Sequence, residues 1–200
     1  MRKAVFGGRA LRNAVLDSRY GRPVVGSART RFPERGSADI VNSDWGALKR
    51  IFDGRVGEED VLVDVGCGRG RVLNYWLRNH PHNRLVGLEL DPDVAASTRE
   101  RLARFTNVGI LAGDAVENLP DDGSLFFLFN PFDSEVLARL ADRLEEPGRP
   151  ERTRGVYYNA KHLAVFESRP RWSIELVDIG GGRWAPFSSL ALLTLTTPDC

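Results

Sequence analysis

The sequence predicts an α/β fold, a doubly wound and mostly parallel sheet of seven strands flanked by helices. Three observations predict it. The stretch V-L-V-D-V-G-C-G-R-G, Val61 to Gly70, joins a short apolar strand to a glycine-rich turn that opens a helix. Further apolar runs alternate with segments at helical spacing, and strands joined through helices must pair in parallel. Two last strands, Trp172 to Ile179 and Ser188 to Thr196, follow one another through Gly180-Gly181-Gly182 and a loop with Pro186, which closes the chain with a hairpin. The chain divides into a helical arm over 1–55 and a sheet-forming core over 56–200.

The elements follow in order. Gly8 to Tyr20 places Leu11, Val15 and Leu16 near helical spacing, and Gly21 to Gly36, with Pro23, Gly26 and Pro33, reads as an irregular loop. Ser37 is expected to cap a helix running to about Phe52, with Ile40, Val41, Trp45, Leu48, Ile51 and Phe52 as its apolar face. After the glycine turn, Val72, Leu73, Trp76 and Leu77 line a helix that ends at Pro81. Leu85 to Leu90 is the second strand, and Asp91-Pro92 supplies the cap and first position of a helix to Phe105. Val108 to Leu111 and Ser124 to Phe129 are the third and fourth strands. Asp133 caps a helix over Ser134 to Leu144, with Val136, Leu137 and Leu140 inward. The charged run Glu145 to Arg154 is a loop, Gly155 to Asn159 the fifth strand, and His162 to Phe166 a short helix.

The glycine turn points to a nucleotide-like ligand, because Gly66, Gly68 and Gly70 let the backbone turn sharply and approach it closely. The dinucleotide fingerprint G-x-G-x-x-G needs glycine or alanine at position 71, where this chain has Arg71, and its third glycine comes one residue early. No Gly-Lys-Ser/Thr follows, which excludes a P-loop. Asp64 at the strand's end would repel a pyrophosphate but suits a ligand with cationic groups. S-adenosylmethionine carries a sulfonium and an ammonium and no phosphate.

Asp64, Gly66, Gly68 and Gly70 resemble motif I, D-x-G-x-G-x-G, of the class I S-adenosylmethionine-dependent methyltransferases. Glu89 lies 19 residues beyond Gly70, where Rossmann-like folds put an acid on the ribose hydroxyls. Gly113-Asp114-Ala115 is similar to the family motif whose acid meets the adenine amino group, and Asn130-Pro131-Phe132 stands in the place of motif IV. The resemblance implies a Rossmann-like sheet whose last strand is antiparallel, with Asp64, the glycines, Glu89, Asp114 and Ala115 holding the cofactor. It spans residues 56–196.

Asn130-Pro131-Phe132 also resembles the Asn/Asp-Pro-Pro-Tyr/Phe motif of amino methyltransferases, without its second proline. In that motif side-chain and main-chain carbonyls receive the amino hydrogens and the ring stacks on the target. Catalytic roles for Asn130, Pro131 and Phe132 follow from the resemblance; the alternative is a strand-ending turn with Phe132 in the core. The chain further resembles a group of small bacterial methyltransferases with a Tyr/Phe-Asn-Pro-Phe motif IV, through Arg19-Tyr20-Gly21 and Tyr158-Asn159-Ala160-Lys161-His162. A looser similarity links motif IV to the disruptor-of-telomeric-silencing class of histone lysine methyltransferases.

Acceptor contacts are expected from Tyr20, Trp45, Tyr158 and His162. Tyr157 and Tyr158 alternate across a strand, so one is core and the other is free to reach the site. Trp45 fits a core stripe equally well, and His162 also fits a helix-capping or partly exposed position. No His or Cys cluster exists at metal-ligand spacing, so no metal is expected.

The formal net charge is +1, which gives no global field favouring nucleic acid or membrane. The sum hides an asymmetry: residues 1–35 carry +7 and the remainder −6. Two cysteines, Cys67 and Cys200, make no disulfide framework, and with no signal-like h-region and no apolar run near 18 residues the chain is expected to be cytoplasmic. The functional expectation is methyl transfer to a nitrogen or oxygen of a small-molecule acceptor. The alternatives are a protein lysine methyltransferase, a non-catalytic cofactor-binding module and a nucleic-acid-associated module that uses the basic arm. The arm, with the apolar Phe6, Leu11, Val15, Tyr20 and Trp45, is expected to fold over the strand ends as a lid.

Overall fold

A computed structural model describes residues 2–24, 26–39, 41–180 and 189–196, with side chains from position 8 onward except at 9 and 189. The Phe6 side chain, Ile40, the loop containing Pro186 and Cys200 lie outside what is described. The arm holds α1 (Arg2–Ser18), a 3-10 turn (Pro33–Arg35) and α2 (Trp45–Phe52). The core runs β1 (Val61–Val65), α3 (Arg71–Asn79), β2 (Arg84–Glu89), α4 (Pro92–Leu102), β3 (Val108–Ala112), β4 (Leu125–Phe129) and α5 (Ser134–Leu144). It ends in β5 (Arg154–Tyr158), α6 (Ala164–Glu167), β6 (Trp172–Asp178) and β7 (Ser189–Leu195).

The seven strands form one sheet in the order β3-β2-β1-β4-β5-β7-β6, parallel except for β7, which runs antiparallel to both neighbours. Val63 of the central strand pairs with Val86 on one side and Phe126 on the other. Alternation along the strands feeds two cores. Leu62, Leu85, Phe127 and Tyr158 pack with Phe52, Leu73 and Trp76 from α2 and α3, while Val63, Val86, Phe126 and Tyr157 pack with Leu137, Leu140 and Phe166 from α5 and α6. Tyr157 and Tyr158 are therefore both core residues, on opposite faces. The chain order reverses between β1 and β4, and such a switch point opens a crevice at the strands' carboxyl ends.

Two helix assignments in the arm are corrected. The helix expected from Ser37 begins at Trp45, capped by Asp44, whose carboxylate accepts the Gly46 N–H at 2.8 Å. Residues 36–38 instead run beside the segment after β4: Ser37 bridges Phe132, the Ala38 N–H donates to the Pro131 carbonyl at 2.9 Å, and the Asp133 N–H donates to the Gly36 carbonyl at 3.0 Å. Their backbone groups are satisfied across the fold rather than along a helix, and Val41 is left 54% exposed. In α1 the expected face is also displaced, with Leu11 and Val15 66% and 54% exposed. The inward stripe is Asn13, Leu16, Asp17 and Tyr20, at i, i+3, i+4 and i+7, which mixes polar anchors with apolar ones.

Candidate functional site

A cavity of about 360 Å³ lies at the switch point, within the range of small-ligand sites. Gly66, Cys67 and Gly68 form one wall, Leu88 to Asp91 and Gly113 to Ala115 a second, and Phe129 to Phe132 a third. Thr30, Arg31, Phe32, Arg35 and residues 37–39 of the arm line it from the side opposite the strands.

The glycine turn is held from within the core. The Gly66 and Cys67 N–H groups donate to the Leu88 carbonyl at 2.9 and 2.8 Å, and the Gly68 N–H donates to Glu89 Oε2 at 2.7 Å. Gly66 has φ +79°, and a Cβ there would meet Pro131 Cβ at 3.1 Å, so the turn and the Asn-Pro segment touch. Gly70 has φ +73° and ends the turn as the cap of α3, where a Cβ would sit 3.0 Å from Thr98. It does not line the cavity.

Three acids line one side of the cavity. Glu89, 7% exposed, accepts the Gly68 and Asp91 N–H groups, and burial pushes its carboxyl up against the opposing effect of those bonds. Asp91 caps α4, accepting from Asp93 and Val94, and pairs with Arg31 at 2.8 Å. Asp114 accepts the Val116 N–H at 2.8 Å and faces Arg35 at 3.3 Å, beside Ala115. Asp64 sits behind this wall, 3% exposed, with Oδ2 buried and unbonded. Burial first, and then the Glu89 charge, push its carboxyl up to about 8. Burial pushes the Cys67 thiol up as well, which keeps it protonated and inert.

At the end of β4, Asn130 adopts a left-handed conformation, φ +43°, and its Oδ1 lies 3.2 Å from the Tyr157 hydroxyl. Phe132 lines the cavity and packs against the α5 core. Asn159, at the matching position after β5, is also left-handed, φ +54°, and lines the cavity with Lys161. The four expected acceptor contacts are elsewhere. Tyr20 stacks on Trp45 at 6.5 Å beside Phe105, and the Trp45 N–H donates to Asp17. Tyr158 packs on Phe129 at 4.8 Å, and His162 contributes its backbone N–H to the Tyr157 hydroxyl. None of these four lines the cavity. Asn159 and Lys161, which belong to the Tyr158-to-His162 string of the resemblance but carried no expected site role, line the cavity instead, and their place at a strand's carboxyl end was the signal. The strap residues 30–39 carried no local signal.

Residues 62–148 match the family described as a methyltransferase domain. This stretch resembles such a domain. A sequence relative is the ribosomal RNA small subunit methyltransferase H of Prochlorococcus marinus, 30% identical over 139 residues that cover 54% of this chain and 43% of the relative. The chain spans less than half the length of the curated relatives it matches. An RNA methyltransferase from Salinibacter ruber, solved with S-adenosyl-L-homocysteine, superposes with a TM-score of 0.60 at 23% identity, over 80% of this chain and 96% of that one. The mitomycin 7-O-methyltransferase superposes with a TM-score of 0.59 at 18% identity, over 76% and 53%. These likenesses show the shared fold.

The cofactor of such a methyltransferase domain is S-adenosylmethionine, and the residues present fit it. The buried, unbonded Asp64 oxygen and the acids Glu89, Asp91 and Asp114 suit a ligand with cationic and hydroxyl groups, whereas the acids that line the cavity would repel a phosphate. Among the described residues no group of His, Cys, Asp or Glu is arranged to hold a metal ion, and no helix is long and apolar enough to cross a membrane.

Proposed function

We propose that the protein transfers a methyl group from S-adenosylmethionine to a nitrogen or oxygen of a small-molecule acceptor. The observation that carries this reading is the contact between the glycine turn and the Asn130-Pro131 segment at Gly66, which brings a cofactor wall and an acceptor wall into one cavity. When bound, the cofactor supplies a methyl on a positively charged sulfur, already activated for displacement. The protein's work is then to bind, align and exclude water.

In this reading Glu89 accepts the ribose hydroxyls, Asp114 and Ala115 border the adenine, and Asp64 balances positive charge behind the turn. Asn130, Pro131 and Phe132 orient the acceptor. The arm is a lid: its segment 36–38 hydrogen-bonds across Pro131, and Arg31 and Arg35 tie it to Asp91 and Asp114. The Asn-Pro-Phe segment and Tyr158 to His162 support placement in the small bacterial subgroup, and a cytoplasmic setting accompanies it.

A second reading, an RNA acceptor, is favoured by the RNA methyltransferases among the relatives and by the exposed arginines 19, 78 and 104 gathered about Tyr20. Binding to RNA would weaken steeply with salt, and a small acceptor would not. The test of the main reading is calorimetry with S-adenosylmethionine, followed by incubation with the labelled cofactor and a cell extract. Asn130→Gly, which suits the left-handed backbone, should abolish labelling while leaving cofactor affinity near that of the parent, with a loss of stability of about 1–3 kcal/mol from the unpartnered Tyr157 hydroxyl. Absence of cofactor binding refutes the assignment.

A further inference from the structure

We propose that the acceptor atom is an anionic oxygen, carboxylate or phenolate, and that Tyr157 is the positioning residue that sets this preference through Asn130. The inference rests on the methyl-transfer reading above and names the acceptor chemistry of the same site.

The Tyr157 side chain is fully buried on β5. Its hydroxyl oxygen accepts the His162 N–H at 3.3 Å, so its single hydrogen is available to Asn130 Oδ1 at 3.2 Å. Burial pushes this hydroxyl's pKa up, and it keeps that hydrogen. Reversing the Asn130 amide would bring a second donor to an oxygen that already accepts one and strand the buried hydroxyl hydrogen, which is costly. The carbonyl end of Asn130 therefore belongs to Tyr157. Its Nδ2 hydrogens have no partner among the described residues, and Asn130 lines the cavity where Tyr157 does not.

The neighbouring carbonyl is engaged as well. Pro131 O accepts the Ala38 N–H at 2.9 Å. An amine nucleophile must hand hydrogens to acceptors at this place, and each of the two carbonyls that an Asn-Pro motif provides already has one of its two lone pairs engaged. What the site offers in their stead is donors: Asn130 Nδ2 and Lys161, a cavity-lining lysine with no ion pair among the described residues. A donor beside a cation suits a deprotonated oxygen and opposes an ammonium. The oxygen lone pair forms the new O–C bond as the C–S bond breaks, its electron pair staying on sulfur. An oxygen that arrives ionised has no proton to lose, so no general base is needed.

The test uses the full chain with S-adenosylmethionine carrying a 13C-methyl group and the small-molecule fraction of a cell extract, the product being read by its 13C chemical shift. Label on a carboxylate or aryl oxygen is the expected result. Label on a nitrogen that bore hydrogen overturns the inference and leaves the methyl-transfer reading standing. No labelled product overturns both. In Tyr157→Phe, turnover should fall about two- to tenfold, the worth of one hydrogen bond, with cofactor affinity kept and the Asn130 side-chain NH2 signals shifted in 15N spectra. Unchanged signals and turnover refute the role of Tyr157. Should that variant not fold, Asn130→Asp replaces the donor by an acceptor, and full activity on the oxygen acceptor would overturn the proposal.

Discussion

Asp17 of α1 and Arg71 at the start of α3 form an ion pair at 2.9 Å, their side chains 0% and 8% exposed. Asp17 also accepts the Trp45 indole N–H and the Asn74 amide, both at 3.1 Å, and the Val24 N–H at 3.3 Å. Arg71 donates in addition to the Ser43 and Val24 carbonyls. The residue whose bulk breaks the dinucleotide fingerprint is the one that anchors the arm. A buried pair whose remaining donors and acceptors are satisfied holds a segment rigidly, which a charged tail does not require.

Removing one partner of that pair should therefore be costly. Asp17→Ala leaves the Arg71 guanidinium buried without its counter-charge, and a loss of about 3–5 kcal/mol is expected. Urea unfolding that shows a midpoint within error of the parent would mean the arm is docked by other contacts.

Glu89 is tied to the turn from both sides, through Gly68 and Asp91. Glu89→Ala should weaken S-adenosylmethionine binding by roughly 1.5–3 kcal/mol, the range for hydrogen bonds to a charged group. Calorimetry decides this, and unchanged affinity would remove Glu89 from the ligand's contacts.

The raised Asp64 carboxyl gives stability a pH dependence of known sign. Between its ordinary value of 3.8 and about 8 the folded protein keeps a proton that the unfolded chain has lost. Stability therefore falls as pH rises through that window and levels off above it. Glu89, also raised, adds a contribution of the same sign. Asp64→Asn should flatten the slope in unfolding experiments across this range. A cationic ligand nearby favours the ionised carboxyl, so cofactor binding near neutral pH should release protons in the parent and fewer in Asp64→Asn. Calorimetry in buffers of different ionisation enthalpy measures that release, and equal values would exclude Asp64 as the source.

Gly36 tests the lid without disturbing the Asp17 anchor. It has φ +69°, and a Cβ there would collide with the Asp133 carboxylate that caps α5. Gly36→Ala should displace this segment and its bond to Pro131, lowering turnover about tenfold or more while cofactor affinity changes little, since misplacement near a reacting centre is costly. Full turnover in this variant would show that closure by residues 36–38 is dispensable.

Much of the core was legible because its signals are local. Buried parallel strands read as apolar runs, so β1, β2 and β4 stood out within a residue or two, and Asp91-Pro92 and Asp133-Ser134 announced their helices through cap chemistry that acts over three residues. The arm was not legible in the same way. Ser37 ahead of an apolar run has the form of a cap, yet its segment is held by Pro131 and Asp133, far along the chain, and no propensity scale carries that information.

Sequence alone settled the layered α/β architecture, the glycine turn and the order of acids and asparagine along the strand ends, because each depends on residues a few positions apart. Tertiary structure decided which side chains share the cavity. It sent Tyr20 and Trp45 to an aromatic cluster around Asp17, put Tyr158 in the core, and brought Asn159, Lys161 and residues 30–39 to the cavity. Those placements follow from how layers pack and where buried polar groups find partners, and such partners are separated in sequence by lengths over which local preference has no reach.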